Sequence, residues 1–177
     1  MRNSEAGVTI VETLMAGAIL VIGSLSMLTL IVDAIATNNR NRIDSTQTML
    51  ATSILEQINS TLIGSGTSSL TDCAGTTWTI NTAPGGANLS GAAIDFTQTN
   101  PPAEYYMNYV VSTPCAGTVT GATAQGTYDV RWHVDLVAGS GSTSTYLLTV
   151  SARLQKHGEG NKFFSLPVTL RALSANP

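Results

Sequence analysis

The apolar positions of this chain change their spacing twice, and each spacing predicts a different element. Between Thr13 and Val32 no residue is charged. About 20 residues of helix span about 30 Å, the thickness of a bilayer core, so this run predicts a helix of membrane length. After Asp33 the pattern becomes amphipathic. Ile43, Leu50, Ile54, Ile58 and Leu62 recur at steps of seven and four along one helical face, with Asn41, Arg42, Asp44, Gln47 and Glu56 opposite. No proline precedes Pro84, so both halves read as a single helix from about Thr9 to Ile63, roughly 80 Å long. It should end at the glycines Gly64 and Gly66. A domain of this size cannot enclose such a helix, and its first half is expected to lie in a membrane or a packed filament.

Past residue 104 the period shortens to two. In "TYDVRWHVDLV", Tyr128, Val130, Trp132, Val134 and Leu136 alternate with Asp129, Arg131, His133 and Asp135, which predicts a strand with one buried and one wet face. "STYLLTVSARL" follows, with Tyr146, Leu148, Val150, Ala152 and Leu154 inward. "FFSLPVTLRAL" repeats the theme through Phe164, Leu166, Val168 and Leu170. Pro167 has no ladder donor and belongs on an edge or at a bulge. The Gly-rich connections "AGSGSTS" and "QKHGEGN" predict hairpin loops and hence a three-strand antiparallel meander. "YYMNYVVS" and the shorter "TTWTIN" are further strand candidates, while residues 64–104 otherwise read as a long irregular connection. The apolar sheet face needs a cover, and the amphipathic half of the helix supplies one. The fold class is therefore α+β.

Composition narrows the function. Only 11% of the 177 residues are charged, against about 25% in an average soluble protein, and the abundance of Ser, Thr, Gly, Ala and Asn suits an extracytoplasmic surface. A net charge of −3 offers no electrostatic footprint for nucleic acid. Cys73 and Cys115 stand in "TDCAGT" and "STPCAGT", outside any CxxC or Cys/His spacing, which argues against metal ligation. If the chain beyond the apolar run is exported, a Cys73–Cys115 disulfide is the default; it would close a loop of about 40 residues, worth about 4 kcal/mol by loop entropy. Otherwise both remain thiols. No nucleophile elbow or P-loop is present. His133, on a polar strand face, and His157, in a loop, read as surface histidines. Asp129 and Asp135 flank His133 and could hold a cation, but solvated charges are the simpler account. Trp78 and Trp132 read as core or strand-edge aromatics, and the N-x-[ST] triplets at Asn59 and Asn88 carry little weight. The sequence therefore points to no enzyme and no cofactor.

Three membrane readings compete for the N-terminus. A secretory signal could be cut after "AIA", Ala34–Ala36, but its apolar core is too long and Glu12 stands where positive charge belongs. A plain anchor leaves a costly carboxylate unexplained. The third reading accounts for both features. "MRNSEAG" followed by "VTIVE" resembles the type IV prepilin signal: a short polar leader ending in glycine, an apolar residue, and a glutamate four residues later, ahead of an apolar run. The resemblance implies cleavage between Gly7 and Val8 by a prepilin peptidase, N-methylation of Val8, and retention of the apolar helix. It also implies that Glu12 docks against the α-amino group of Val8 on a neighbouring subunit. Val8 stands where this family more often has phenylalanine or methionine. "TLMAGAILVIGSLSMLTL" and the "YDVRWHV … YLLTVSARL" pair further resemble PilV-type minor pilins.

On that resemblance the chain divides into a leader, residues 1–7, a membrane or filament-core helix, 8–36, an amphipathic helix, 37–63, and an exported β-rich head, 64–177. The implied role is that of a structural subunit of a type IV pilus, in its initiation or tip complex. The implied partners are other pilin subunits, the prepilin peptidase and methyltransferase, the inner-membrane assembly platform and inner-membrane lipid, and the implied uses include adhesion and motility. The alternatives are a type II secretion pseudopilin and, from another class, a membrane-anchored or secreted binding domain with no filament.

Overall fold

The computed structural model describes residues 9–61, 63–64, 66–115, 123–139, 144–156 and 166–176. The chain forms two compact units, Met1–Asn41 and Arg42–Pro177. One helix, α1 (Ile10–Ser60, 51 residues), belongs to both, and its later part packs on a small antiparallel sheet. Among the described residues nine strands follow: β1 (Thr67–Thr71), β2 (Thr77–Asn81), β3 (Gly85–Gly86), β4 (Leu89–Ser90), β5 (Ala93–Ile94), β6 (Tyr106–Thr113), β7 (Thr123–Gly139), β8 (Ser144–Lys156) and β9 (Val168–Asn176).

The expected meander β7–β8–β9 is present, and all its pairings are antiparallel. On the other side of β7, β6 pairs along Thr123–Arg131 and β3 along His133–Val134. β9 is an edge strand, with Pro167 just before its first residue. That is where a residue without an N–H costs no ladder bond.

The helix from Arg42 onward places Ile43, Gln47, Leu50, Ala51, Ile54 and Ile58 against the sheet, all buried. Facing them are Tyr128, Val130, Trp132 and Val134 of β7, Tyr146, Leu148, Val150 and Ala152 of β8, and Met107 of β6. Gln47 was expected on the wet face, yet its residue is fully buried. Positions 43, 47, 50 and 54 are spaced by four, three and four, so Gln47 sits in the middle of the stripe whatever its polarity. Leu62 lies outside the described residues. The helix closes near Gly64, whose φ of 96° is costly for any residue with a Cβ. A Cβ there would also strike the Tyr146 hydroxyl.

The second face of the sheet corrects two expectations. Residues 64–104 are not simply irregular. They hold the β1–β2 hairpin, the short β3 pairing and the β4–β5 hairpin, of which β5 lies against β7 and β8. Consequently the polar face of β7 is covered, and Asp129 and Arg131 are buried where solvated charges were expected. The covering is possible because each charge has partners. Asp129 accepts from Arg131 Nε and Nη2, both at 2.9 Å, and from Arg153 Nε and Nη2 at 3.2 and 3.0 Å. Arg131 Nη1 donates to the Gln98 carbonyl at 2.9 Å. The Phe96 ring lies under both guanidiniums, 5.2 Å from Arg131 and 4.4 Å from Arg153. Gly86 lets this segment approach: its φ is 131°, and a Cβ would collide with the Trp132 carbonyl oxygen.

Two inward assignments also fail. Leu136, beside a register shift in β7, is mostly exposed, and Leu166 precedes β9 and is exposed too. Phe164, His157 and most of both Gly-rich loops lie outside the described residues.

Burial raises the Tyr105, Tyr109 and Tyr128 phenols above their usual pKa of 10.0. The charges of Glu104 and Asp72 add to this at Tyr105 and Tyr109, whereas Thr46 and Arg42 oppose it at Tyr128. Above about pH 10 the unfolded chain loses these protons before the folded one does, so the folded state is destabilised as pH rises. Phenolate absorbance should show these phenols titrating above the solvated value, with denaturant midpoints falling over the same range. Three normal phenols would refute this.

Candidate functional site

The exposed side of α1 carries the first candidate site. Ile10, Leu14, Ile19, Leu20, Val21, Ile22, Leu25, Leu28, Leu30, Ile31 and Val32 are all exposed, Ile19 by 72% and Leu20 by 70%. This is the one helix among the described residues that is long and apolar enough to cross a membrane. Its hydroxyls fit an environment without water. All four between Thr13 and Val32 bond to a carbonyl of the preceding turn: Thr13 to Thr9 at 3.4 Å, Ser24 to Leu20 at 2.8 Å, Ser26 to Ile22 at 2.9 Å and Thr29 to Ser26 at 2.8 Å. In lipid a hydroxyl is satisfied within its own helix or by a neighbouring one, and these bonds meet that need; Thr46 and Thr48 in the amphipathic half bond back in the same way.

Glu12 stands at the helix start. Its backbone N–H donates to Thr9 Oγ1 at 3.3 Å, so Thr9 is the N-cap and Glu12 the third helical residue. Thr-x-x-Glu is the spacing of a capping box, in which the carboxylate also benefits from the positive end of the helix dipole. That local role was legible in "TIVE" and was missed by a reading that gave Glu12 only an intersubunit partner. Glu12 is exposed and makes no ion pair among the described residues. Gly7 and Val8 lie outside the described residues.

The second candidate, Cys73 and Cys115, forms a disulfide. It ties the β1–β2 turn to the segment just after β6, two residues past Thr113. Asp72 builds that turn: Oδ1 accepts from Ala74 N at 2.9 Å and Thr76 N at 2.8 Å, while Gly75 N donates to the Asp72 carbonyl at 3.0 Å. The Asp-x-x-Gly spacing in "DCAG" was a turn signal with a mechanism. Oδ2 takes Trp78 Nε1 at 3.3 Å, which fixes Trp78 against the hairpin. Cys73 N donates to Val110 O at 3.1 Å, so the covalent link reinforces a junction already hydrogen-bonded.

The cation site considered at Asp129, His133 and Asp135 does not assemble. Asp129 is committed to two arginines. His133 is half-buried and lies between the Ala87 carbonyl at Nδ1, 2.7 Å, and Asp135 at Nε2, 3.0 Å. Among the described residues no group of three or more His, Cys, Asp or Glu side chains is placed to hold a metal. Comparison of the chain with protein-family models, curated proteins and solved structures finds no match.

Proposed function

We propose that this chain is a non-enzymatic structural subunit of a type IV filament, of the minor-pilin kind. The observation that carries the reading is the bare apolar stretch of α1, with every hydroxyl bonded inside the helix and a single carboxylate at its start. In this reading the subunit waits in the inner membrane with its N-terminus cytoplasmic and its head exported. Prepilin peptidase cuts between Gly7 and Val8, and Val8 is N-methylated. Assembly then exchanges lipid for neighbouring helices around the same apolar surface. Glu12 makes no ion pair among the described residues, which leaves its carboxylate available to pair with the Val8 amine of the next subunit. In a dry setting that pairing sets register, since an unpaired charge there is costly. The disulfide suits an exported head.

Glu12→Gln separates the two roles of this residue, since glutamine retains capping-box chemistry but not the charge. The expected result is a chain that inserts, is cut at Val8 and folds its head, yet enters sheared filaments at least about tenfold less than the parent, consistent with loss of a charge-assisted pairing. Normal incorporation of this variant would reduce Glu12 to a helix cap. Intact mass of the membrane-extracted parent supplies the other arm. A terminus at Val8 supports the filament reading. One at Thr37 would make the chain a secreted binding domain, and an uncut Met1 a simple anchor. Loss of protein secretion with no effect on surface pili would select the pseudopilin variant.

A further inference from the structure

The ion cluster that closes the second sheet face also forms the floor of a cleft of about 470 Å³, within the ~300–1,000 Å³ range of small-ligand sites. Its walls come from two directions: residues 96–101 of the covering segment, and Tyr106, Asn108 and Gln155 of β6 and β8. The two arginines differ in what they have left to offer. Arg131 is spent, with Nε and Nη2 on Asp129 and Nη1 on the Gln98 and Asp95 carbonyls. Arg153 bonds Asp129 only through Nε and Nη2, has its Cζ over the Phe96 ring and keeps 35% of its side chain exposed. Its Nη1 has no hydrogen-bond partner among the described residues. The guanidinium is therefore held along one edge and against Phe96, and Arg153 itself lines the cleft.

Formal charge completes the picture. Arg131, Arg153 and Asp129 sum to one positive charge. The Asp95 carboxylate is turned into its own loop, accepting Thr97 N at 2.8 Å and Thr97 Oγ1 at 2.6 Å, and does not line the cleft. A planar fork with a free edge matches a carboxylate. Around it the Asn108 and Gln155 amides and the Tyr106 hydroxyl have no side-chain hydrogen bond among the described residues, and they suit hydroxyl groups. The apolar wall residues are few, and the Phe96 face is already covered by guanidinium.

We propose that this cleft binds a sugar acid, a carboxylate flanked by hydroxyls, with Arg153 pairing the carboxylate and Asn108 and Gln155 reading the hydroxyls. The test uses the full chain in detergent micelles at low salt, with calorimetric titration of D-glucuronate, D-glucose, acetate and inorganic phosphate. Saturable binding of glucuronate, at least about tenfold tighter than glucose or acetate, is the expected result, since each partner group alone lacks half of the contacts. Arg153→Gln should remove that binding. Gln155→Ala, at an exposed position outside the ion cluster, should weaken it about threefold to tenfold, the loss of one neutral hydrogen bond. An unchanged near-UV dichroism spectrum of the head's aromatic residues would show that both variants remain folded. An oligosaccharide of alternating glucuronate and N-acetylglucosamine distinguishes the source: tighter binding than the monomer identifies a polysaccharide, and weaker binding a free sugar acid. The proposal is overturned by no saturable glucuronate binding, by equal binding of phosphate, or by full binding in a folded Arg153→Gln.

Discussion

Replacing Asp129 with alanine should destabilise the head by about 3–5 kcal/mol, the range for removing one partner of a buried ion pair. The loss arises from what stays behind. Arg131 is almost wholly buried, and without the carboxylate its Nε and Nη2 face protein with no acceptor, while Phe96 and the Gln98 carbonyl hold the guanidinium in place. Arg153 is a third exposed, and without it Asp129 still holds both Arg131 bonds, so Arg153→Ala should cost about 1 kcal/mol or less. The contrast is the test. Thermal unfolding of the full chain in micelles, followed by near-UV dichroism, should show the Asp129 variant melting about 10–20 °C lower. Similar small shifts for both variants would mean that Arg131 finds water or another acceptor when its partner is gone.

Removing the disulfide should have an effect of similar size for a different reason. Cys73 and Cys115 lie 42 residues apart, and opening that loop returns about 4 kcal/mol of chain entropy to the unfolded state. The folded junction keeps its other bonds, Cys73 N–H to Val110 O and Val110 N–H to Asp72 Oδ2. The double variant Cys73→Ser, Cys115→Ser should therefore keep the parent's near-UV spectrum while its urea midpoint falls. The denaturant slope should rise, because an uncrosslinked chain exposes more surface on unfolding. A changed native spectrum would instead mean that the bond holds the folded geometry.

How much of this was legible depended on whether the pattern repeats. The helix and the β7–β8–β9 meander announce themselves because Ile43, Leu50, Ile54 and Ile58, and the alternation from Tyr128 to Val134, are long periodic signals set by burial on one face. β1 carries only Leu70 as an apolar residue, and β3, β4 and β5 are two residues each. Elements that short have no period to detect. The covered face was hidden for another reason: Asp129, Arg131 and Arg153 are polar by residue type, and only their mutual pairing makes burial tolerable. Single residues do not advertise such partners across the chain. Gln47 shows the same limit, since its place in the stripe is given by spacing and contradicted by its chemistry. Of the N-terminal features, the apolar run and Glu12 were readable, and so was the Thr9 cap once the spacing to Glu12 is noticed.

The central place of β7 also imposes a schedule. β3, β6 and β8 all pair with it, and most of the side chains that cover Ile43, Leu50, Ile54 and Ile58 lie between Tyr128 and Ala152. A chain emerging N-terminus first therefore carries its finished helical stripe uncovered while about 100 more residues arrive. At about 5–20 residues per second that interval is on the order of 10 s. During it a greasy helical face has no lid, so this protein's greatest exposure to mispairing and proteolysis comes before its last strands exist.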